Sequence, residues 1–110
     1  MSWRIANECA ERRFGSAARK QIIMFLADKA SDDGSGIWCS KGTIQRHTEL
    51  SESTVKRTII DFLREGILIE TGRRQCKNGY TVIYRIVLER VAALDPTAEP
   101  DIQTGVTVNP

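Results

Sequence analysis

Lys41, Lys56, Arg57, Arg73, Arg74 and Lys77, together with the hydroxyls of Ser51, Ser53 and Thr54, are the side chains of this sequence best suited to chemistry, and that chemistry is recognition. Guanidinium and ammonium groups donate hydrogen bonds and accept none, so they suit phosphate oxygens or the acceptor edge of guanine. Covalent chemistry has less to work with. His47 is the single histidine, and Cys9, Cys39 and Cys76 are widely spaced, without zinc-ligand spacing. No orienting group or oxyanion loop stands out beside a Cys–His pair, and no glycine-rich phosphate loop occurs. Asp32 and Asp33 are adjacent carboxylates without the alternating oxygen ligands of a calcium loop, which reads as a helix-ending turn. The chain is therefore expected not to be an enzyme and to use no cofactor or metal.

Charge is distributed unevenly. Residues 40 to 90 hold 10 basic and 6 acidic side chains, residues 1 to 39 hold 6 and 5, and residues 91 to 110 hold none and 3. Positive charge thus gathers on the stretch that carries the candidate residues, which favours a polyanionic partner. The formal net charge of +2 is modest, so sequence readout or multivalency has to supplement electrostatics. With 110 residues, 41% hydrophobic and 27% charged, the composition fits one compact soluble domain. Nothing in the sequence resembles a membrane span or a signal peptide, and an odd number of scattered cysteines predicts reduced thiols in a cytoplasmic protein.

The elements that must position these side chains can be read from periodicity. Ser51 is placed to cap a helix of about 52 to 65, and Gly66 to end it in the left-handed conformation. At 100° per residue, Val55, Ile59, Phe62 and the neighbouring Leu63 make its inner face, while Ser53, Arg57 and Arg64 point outward with Thr54 and Lys56 on the flanks. A shorter helix from the Ser40 cap to about Thr48 precedes it, with Ile44 inward and Leu50 plugging the turn. Ser16 caps a further helix of about 17 to 30, with an inward stripe of Ala18, Ile22, Phe25 and Leu26, flanked by Ile23 and Ala30.

Residues 67 to 71 read as a strand, residues 72 to 79 as a polar connection that includes Asn78, and residues 81 to 88 as an alternating second strand. Arg73, Arg74 and Lys77 therefore fall at the expected tip of a β-hairpin. Ile37, Trp38 and Cys39 read as a short strand beside it. Residues 2 to 14 read as a helix or arm in which Trp3, Ile5, Ala6, Cys9 and Ala10 can pack and Arg12 and Arg13 stay exposed. Met24 is assigned to this arm or to a second subunit. The expected domains are an N-terminal helix or arm (1–15), a folded domain (16–90) and a flexible linker or tail (91–110) marked by Pro96, Pro100 and Pro110, with Glu89 to Leu94 able to extend into a helical turn.

The serine cap, Thr54-Val55, Arg57, Ile59, Leu63 and Gly66-Ile67-Leu68 resemble the winged helix-turn-helix family over residues 40 to 88. A closer resemblance covers residues 1 to about 88. Trp3, then Leu26, Ala27, Asp28, Ala30, Asp32, Asp33 and Gly34, followed by Trp38 and Ser40, is similar to the N-terminal domain of phage-derived and plasmid-type bacterial replication proteins. Gln45, Glu49 and Cys39 depart from that pattern, standing where the family often has a small residue, a glycine and a proline.

The resemblance implies a mainly α fold with a small β-hairpin (α+β), in which a three-helix core carries a wing. It also implies binding to double-stranded DNA in replication initiation or transcriptional regulation. Ser53, Thr54, Lys56 and Arg57 are expected nearest the bases, Lys41, Arg73, Arg74 and Lys77 nearest the phosphates, and the capping Ser51 is a further DNA-binding candidate. A homodimer and replication or transcription proteins are the further partners considered, with no membrane. The rival expectation is a protein-interaction or oligomerisation module that uses the same surface.

Overall fold

The computed structural model describes residues 3–77 and 79–97 and has a mixed α+β architecture. In chain order it contains α1 (Trp3–Ala10), α2 (Ala17–Lys29), α3 (Lys41–Thr48), α4 (Glu52–Glu65), β1 (Leu68–Cys76), β2 (Gly79–Ile86) and α5 (Leu88–Ala92). Three helices begin as their sequence dictates. The hydroxyls of Ser16, Ser40 and Ser51 accept hydrogen bonds from the amides of Arg19, Thr43 and Thr54, satisfying donors that a helix start leaves open. At the other end of α4, Gly66 takes φ 79°, and the amides of Gly66 and Ile67 donate to the carbonyls of Leu63 and Phe62.

The core is continuous from α1 to the hairpin. Ile22, Ile23, Leu26 and Ala27 of α2 meet Ile44 of α3 and Val55, Ile59 and Phe62 of α4, with Ile37, Leu68, Tyr84 and Ile86 closing the hairpin side. The inward face of α2 is turned slightly from the expected stripe: Ala27 is buried, whereas Ala18 and Phe25 are only half-buried. Met24 lies partly buried against the same core. Among the described residues no helix is long and apolar enough to cross a membrane.

Three expectations about the elements are corrected. Residues 72–76 are strand rather than loop: Arg73, Arg74, Gln75 and Cys76 pair with Val82, Thr81, Tyr80 and Gly79, so β1 extends to Cys76 and Lys77 begins the turn. Asn78 lies outside the described residues. The longer ladder is accommodated by a register shift between Glu70 and Gly72, a bulge that lets polar residues continue the pairing without entering the core. Ile37 is joined to Tyr84 by a single bridge rather than a full strand, through Ile37 N–H to Tyr84 O at 3.1 Å and Tyr84 N–H to Ile37 O at 2.7 Å.

The third correction concerns the chain ends. Residues 91–97 are not a linker, and the core is not limited to three helices. Ile5 and Cys9 of α1 and Val91 of α5 are fully buried. The Arg13 amide donates to Asp95 O and the Thr97 amide to Glu11 O, each at 2.8 Å, while Arg12 Nη1 reaches Leu94 O at 3.0 Å. Arg12 is accordingly half-buried rather than exposed. Trp3 and Ala10, expected to pack, are exposed instead. The rest of the expected tail, residues 98–110, lies outside the described residues.

Candidate nucleic-acid interface

The candidate side chains are carried by three pieces of the fold: the start of α3, the outer face of α4 and the far half of the hairpin. α3 and α4 are joined by Glu49, Leu50 and Ser51. Glu49 ends α3 in the left-handed conformation at φ 60°, ψ 25°, the one non-glycine residue with positive φ among those described. Its amide donates to Gln45 O at 2.8 Å, and Gln21 Nε2 of α2 donates to Thr48 O at 2.7 Å, so carbonyls at the end of α3 are satisfied from two sides. Leu50 packs against the core, as a plug in this turn should.

α4 separates its two faces cleanly. Val55, Thr58, Ile59 and Phe62 are buried, whereas Ser53, Lys56, Arg57, Ile60 and Arg64 are exposed. α2 holds the helix in this rotation. Arg19 Nη1 and Nη2 donate to Glu65 Oε2 and Oε1 at 3.0 and 2.6 Å, its Nε donates to Phe14 O, and its guanidinium lies 4.8 Å from the centre of the Phe62 ring. Phe14 meets Phe62 edge to face at 6.1 Å. The hydrogen bonds from Arg19 hold the Glu65 carboxyl below its ordinary value, outweighing the opposing effect of desolvation.

The individual α4 residues differ in how free they are to contact a ligand. Ser51 is committed to its helix: its hydroxyl accepts from the Thr54 amide at 3.2 Å and donates to Thr54 Oγ1 at 2.8 Å. Thr54 is half-buried for the same reason. Lys56 pairs with Glu52 one turn earlier at 3.0 Å, and Arg64 lies 3.8 Å from Asp61. Arg57 is exposed, and among the described residues it has no hydrogen-bond, ion-pair or ring partner.

Arg73 and Arg74 are strand residues rather than tip residues, both exposed, and Lys77 stands at the turn. Alternation sends the two arginines to opposite faces of the hairpin. Arg73 lies over the Tyr80 ring at 4.5 Å and Arg74 over the Trp38 ring at 3.7 Å. Lys41 is half-buried at the start of α3 and lines a cleft shared with Tyr80, Thr81 and Val82 of β2. The fold therefore brings Lys41 alongside the hairpin. No hydrogen bond, ion pair or ring contact joins Arg57 to Arg73, Arg74 or Lys77 among the described residues.

Two exposed aromatics, Trp38 and Tyr80, belong to this surface and were missed as candidates. Tyr80 lies near the arginines in sequence, whereas Trp38 is brought to the hairpin by the bridge from Ile37 to Tyr84 and the bond from the Ile86 amide to Gly34 O. Between α2 and α3, Phe25 stacks on His47 with ring centres 5.1 Å apart. Burial pushes the Cys39 thiol up, and the three cysteines are unpaired. No group of three or more His, Cys, Asp or Glu side chains converges among the described residues. In the loop after α2, Asp33 instead accepts hydrogen bonds from Ser35 Oγ at 2.5 Å and Ser35 N at 3.0 Å. Comparison with protein-family models, curated proteins and solved structures finds no match.

Proposed function

We propose that this chain is a winged helix-turn-helix module that binds double-stranded DNA, with α4 in the major groove and the β1–β2 hairpin as its wing. The observation that carries the reading is the free, outward Arg57 on a helix whose opposite face is locked into the core. Around it, Ser53 and Lys56 are exposed, and the brace from α3 leaves this face open. Arg73, Arg74 and Lys77 would meet phosphates or a minor groove, where cations are drawn to negative potential. Lys41 would contact the backbone beside the wing. Ser51 and Thr54 contribute mainly by capping α4, since their hydroxyls already bond each other. The sequence resemblance places this activity in replication initiation or transcriptional regulation, and the unpaired thiols fit a reducing cytoplasm.

Fluorescence anisotropy with a random duplex pool, followed by selection of bound sequences at two salt concentrations, tests the proposal. Arg57→Ala should weaken the preferred sequence by about 1–3 kcal/mol and relax preference at one base position. Replacing Arg73, Arg74 and Lys77 together should flatten the slope of log affinity against log salt by about 2 to 3. Absence of duplex binding at low salt overturns the reading. A second reading, a protein-interaction or oligomerisation module, is favoured by one set of observations: Lys56 and Arg64 are partly neutralised by Glu52 and Asp61, and Ile60 is half-exposed beside them. Sedimentation that depends on Ile60 in the absence of DNA would select it.

A further inference from the structure

The distal half of the hairpin faces a surface that α4 does not share. A groove of about 850 Å³ lies between the hairpin end and the segment leading into α3, lined by Trp38, Cys39, Thr43, Cys76, Lys77 and Tyr80 among others, and by no residue of α4. Its volume is in the range of sites that hold small organic groups. Trp38 and Tyr80 leave 49% and 56% of their surface exposed, large values for side chains of this size in a folded domain.

Three features restrict what could fill it. Each aromatic carries a guanidinium, Arg74 on Trp38 and Arg73 on Tyr80, so stacking planes and positive charge occur as pairs. Lys77 adds a cation to the lining, while Lys29 is paired with the lining carboxylate of Asp28 at 3.8 Å and lies over the Phe25 ring at 5.3 Å. The small polar groups on the lining are occupied by one another: Ser40 Oγ with Thr43 Oγ1 at 3.0 Å, and Cys76 Sγ with Thr81 Oγ1 at 2.9 Å. Flat rings with cations, and few free donors or acceptors, suit a ligand recognised by its faces and its negative charge rather than by its hydrogen-bonding edges. Unpaired nucleotides have that chemistry, because every base offers a π-face and every linkage a phosphate.

We propose that this groove binds single-stranded nucleic acid with little sequence preference, stacking bases on Trp38 and Tyr80 and placing phosphates against Lys77 and Arg74, the arginine on the groove's face of the hairpin. The activity does not require α4, although it draws on Arg74 and Lys77 of the hairpin that the duplex reading uses as its wing.

The test uses the full chain carrying Trp3→Phe, an exposed change that leaves Trp38 as the lone tryptophan. Titration with oligothymidylate of about a dozen nucleotides should quench Trp38 fluorescence to saturation, and added salt should weaken the effect. By anisotropy, Trp38→Ala and Tyr80→Ala should each weaken binding about 5- to 150-fold, the range expected for loss of one base stack. Trp38→Phe should restore most of it. Arg57→Ala should leave it unchanged, which keeps this result distinguishable from the outcome for duplex DNA. Oligouridylate run in parallel names the strand, and binding of either polymer supports the proposal. No quenching at low salt overturns it, as does unchanged affinity in both alanine variants whose circular dichroism matches the parent. Quenching by an acidic peptide but by neither oligonucleotide also overturns it and assigns the groove to peptide recognition.

Discussion

Glu49 and Glu65 bracket the α3–α4 pair and illustrate opposite uses of an acidic side chain. Glu49 occupies a left-handed position that disfavours any residue with a Cβ, and it puts a negative charge beside the proposed DNA surface. Glu49→Gly should relieve about 1 kcal/mol of strain, partly offset by the greater freedom of glycine in the unfolded chain. Thermal melting should show an unchanged or raised midpoint, and duplex affinity should rise; a clear fall in the midpoint would refute the strain argument. Glu65 is held ionised by the Arg19 fork, so its folded-state value lies below the ordinary 4.5. A lowered carboxyl stabilises the fold fully above that ordinary value and loses the contribution as pH falls through the lowered one. The stability difference between the parent and Glu65→Gln should therefore be present at neutral pH and disappear in acid, as measured by urea melts across pH. Because Glu65 is close to half-exposed, solvent screens the pair and the difference should be small.

The hairpin is held to the helices by few anchors at the element scale, and Gly34 is one of them. The Ile86 amide donates to Gly34 O at 2.8 Å, and the Val87 amide donates to Ile67 O at the same distance, closing the hairpin base. Gly34 has φ 89°, and a Cβ there would run into the Ile86 carbonyl. Gly34→Ala must either strain its backbone or push the hairpin away. Strain alone costs about 1–3 kcal/mol, and displacement would also misplace Trp38 and Tyr80. Denaturant unfolding should show a loss at least in that range, and a smaller loss would mean the loop moves independently of β2. The glycine was visible in the sequence as a turn residue, but its approach to Ile86 was not. That contact joins residues 52 positions apart and depends on where the sheet lands.

At the scale of the whole molecule, the two ends of the described chain stabilise each other. α1 packs against both α2 and α5, and the backbone bonds from Arg13 to Asp95 and from Thr97 to Glu11 fasten the chain ends. Burial pushes the Cys9 thiol up to about 12, so in the closed state it remains protonated and unreactive. A thiol reagent at mildly alkaline pH should modify exposed Cys76 first, half-buried Cys39 later, and Cys9 only through opening of the domain. Val91→Ala should cost about 1–3 kcal/mol through lost burial and speed Cys9 labelling accordingly. Labelling of Cys9 as fast as Cys76 in the parent protein would show that α1 is not held as described.

The sequence by itself determined the local elements: serine caps, the glycine stop after α4, and the period that buries Val55, Ile59 and Phe62 while leaving Arg57 outside. These are decided by neighbours within a few residues, where hydrogen bonding and side-chain periodicity have little competition. It also singled out Glu49 as a non-glycine residue in a turn that favours glycine. Tertiary structure alone decided that β1 continues through Arg73 and Arg74, because a bulge at Glu70/Gly72 offered a register in which β2 could satisfy those backbone groups. It likewise decided that residues 91–97 dock on the N-terminal segment and that Trp38 meets Arg74. In each case the stabilising partner lies tens of residues away, and a sequence pattern carries no distance.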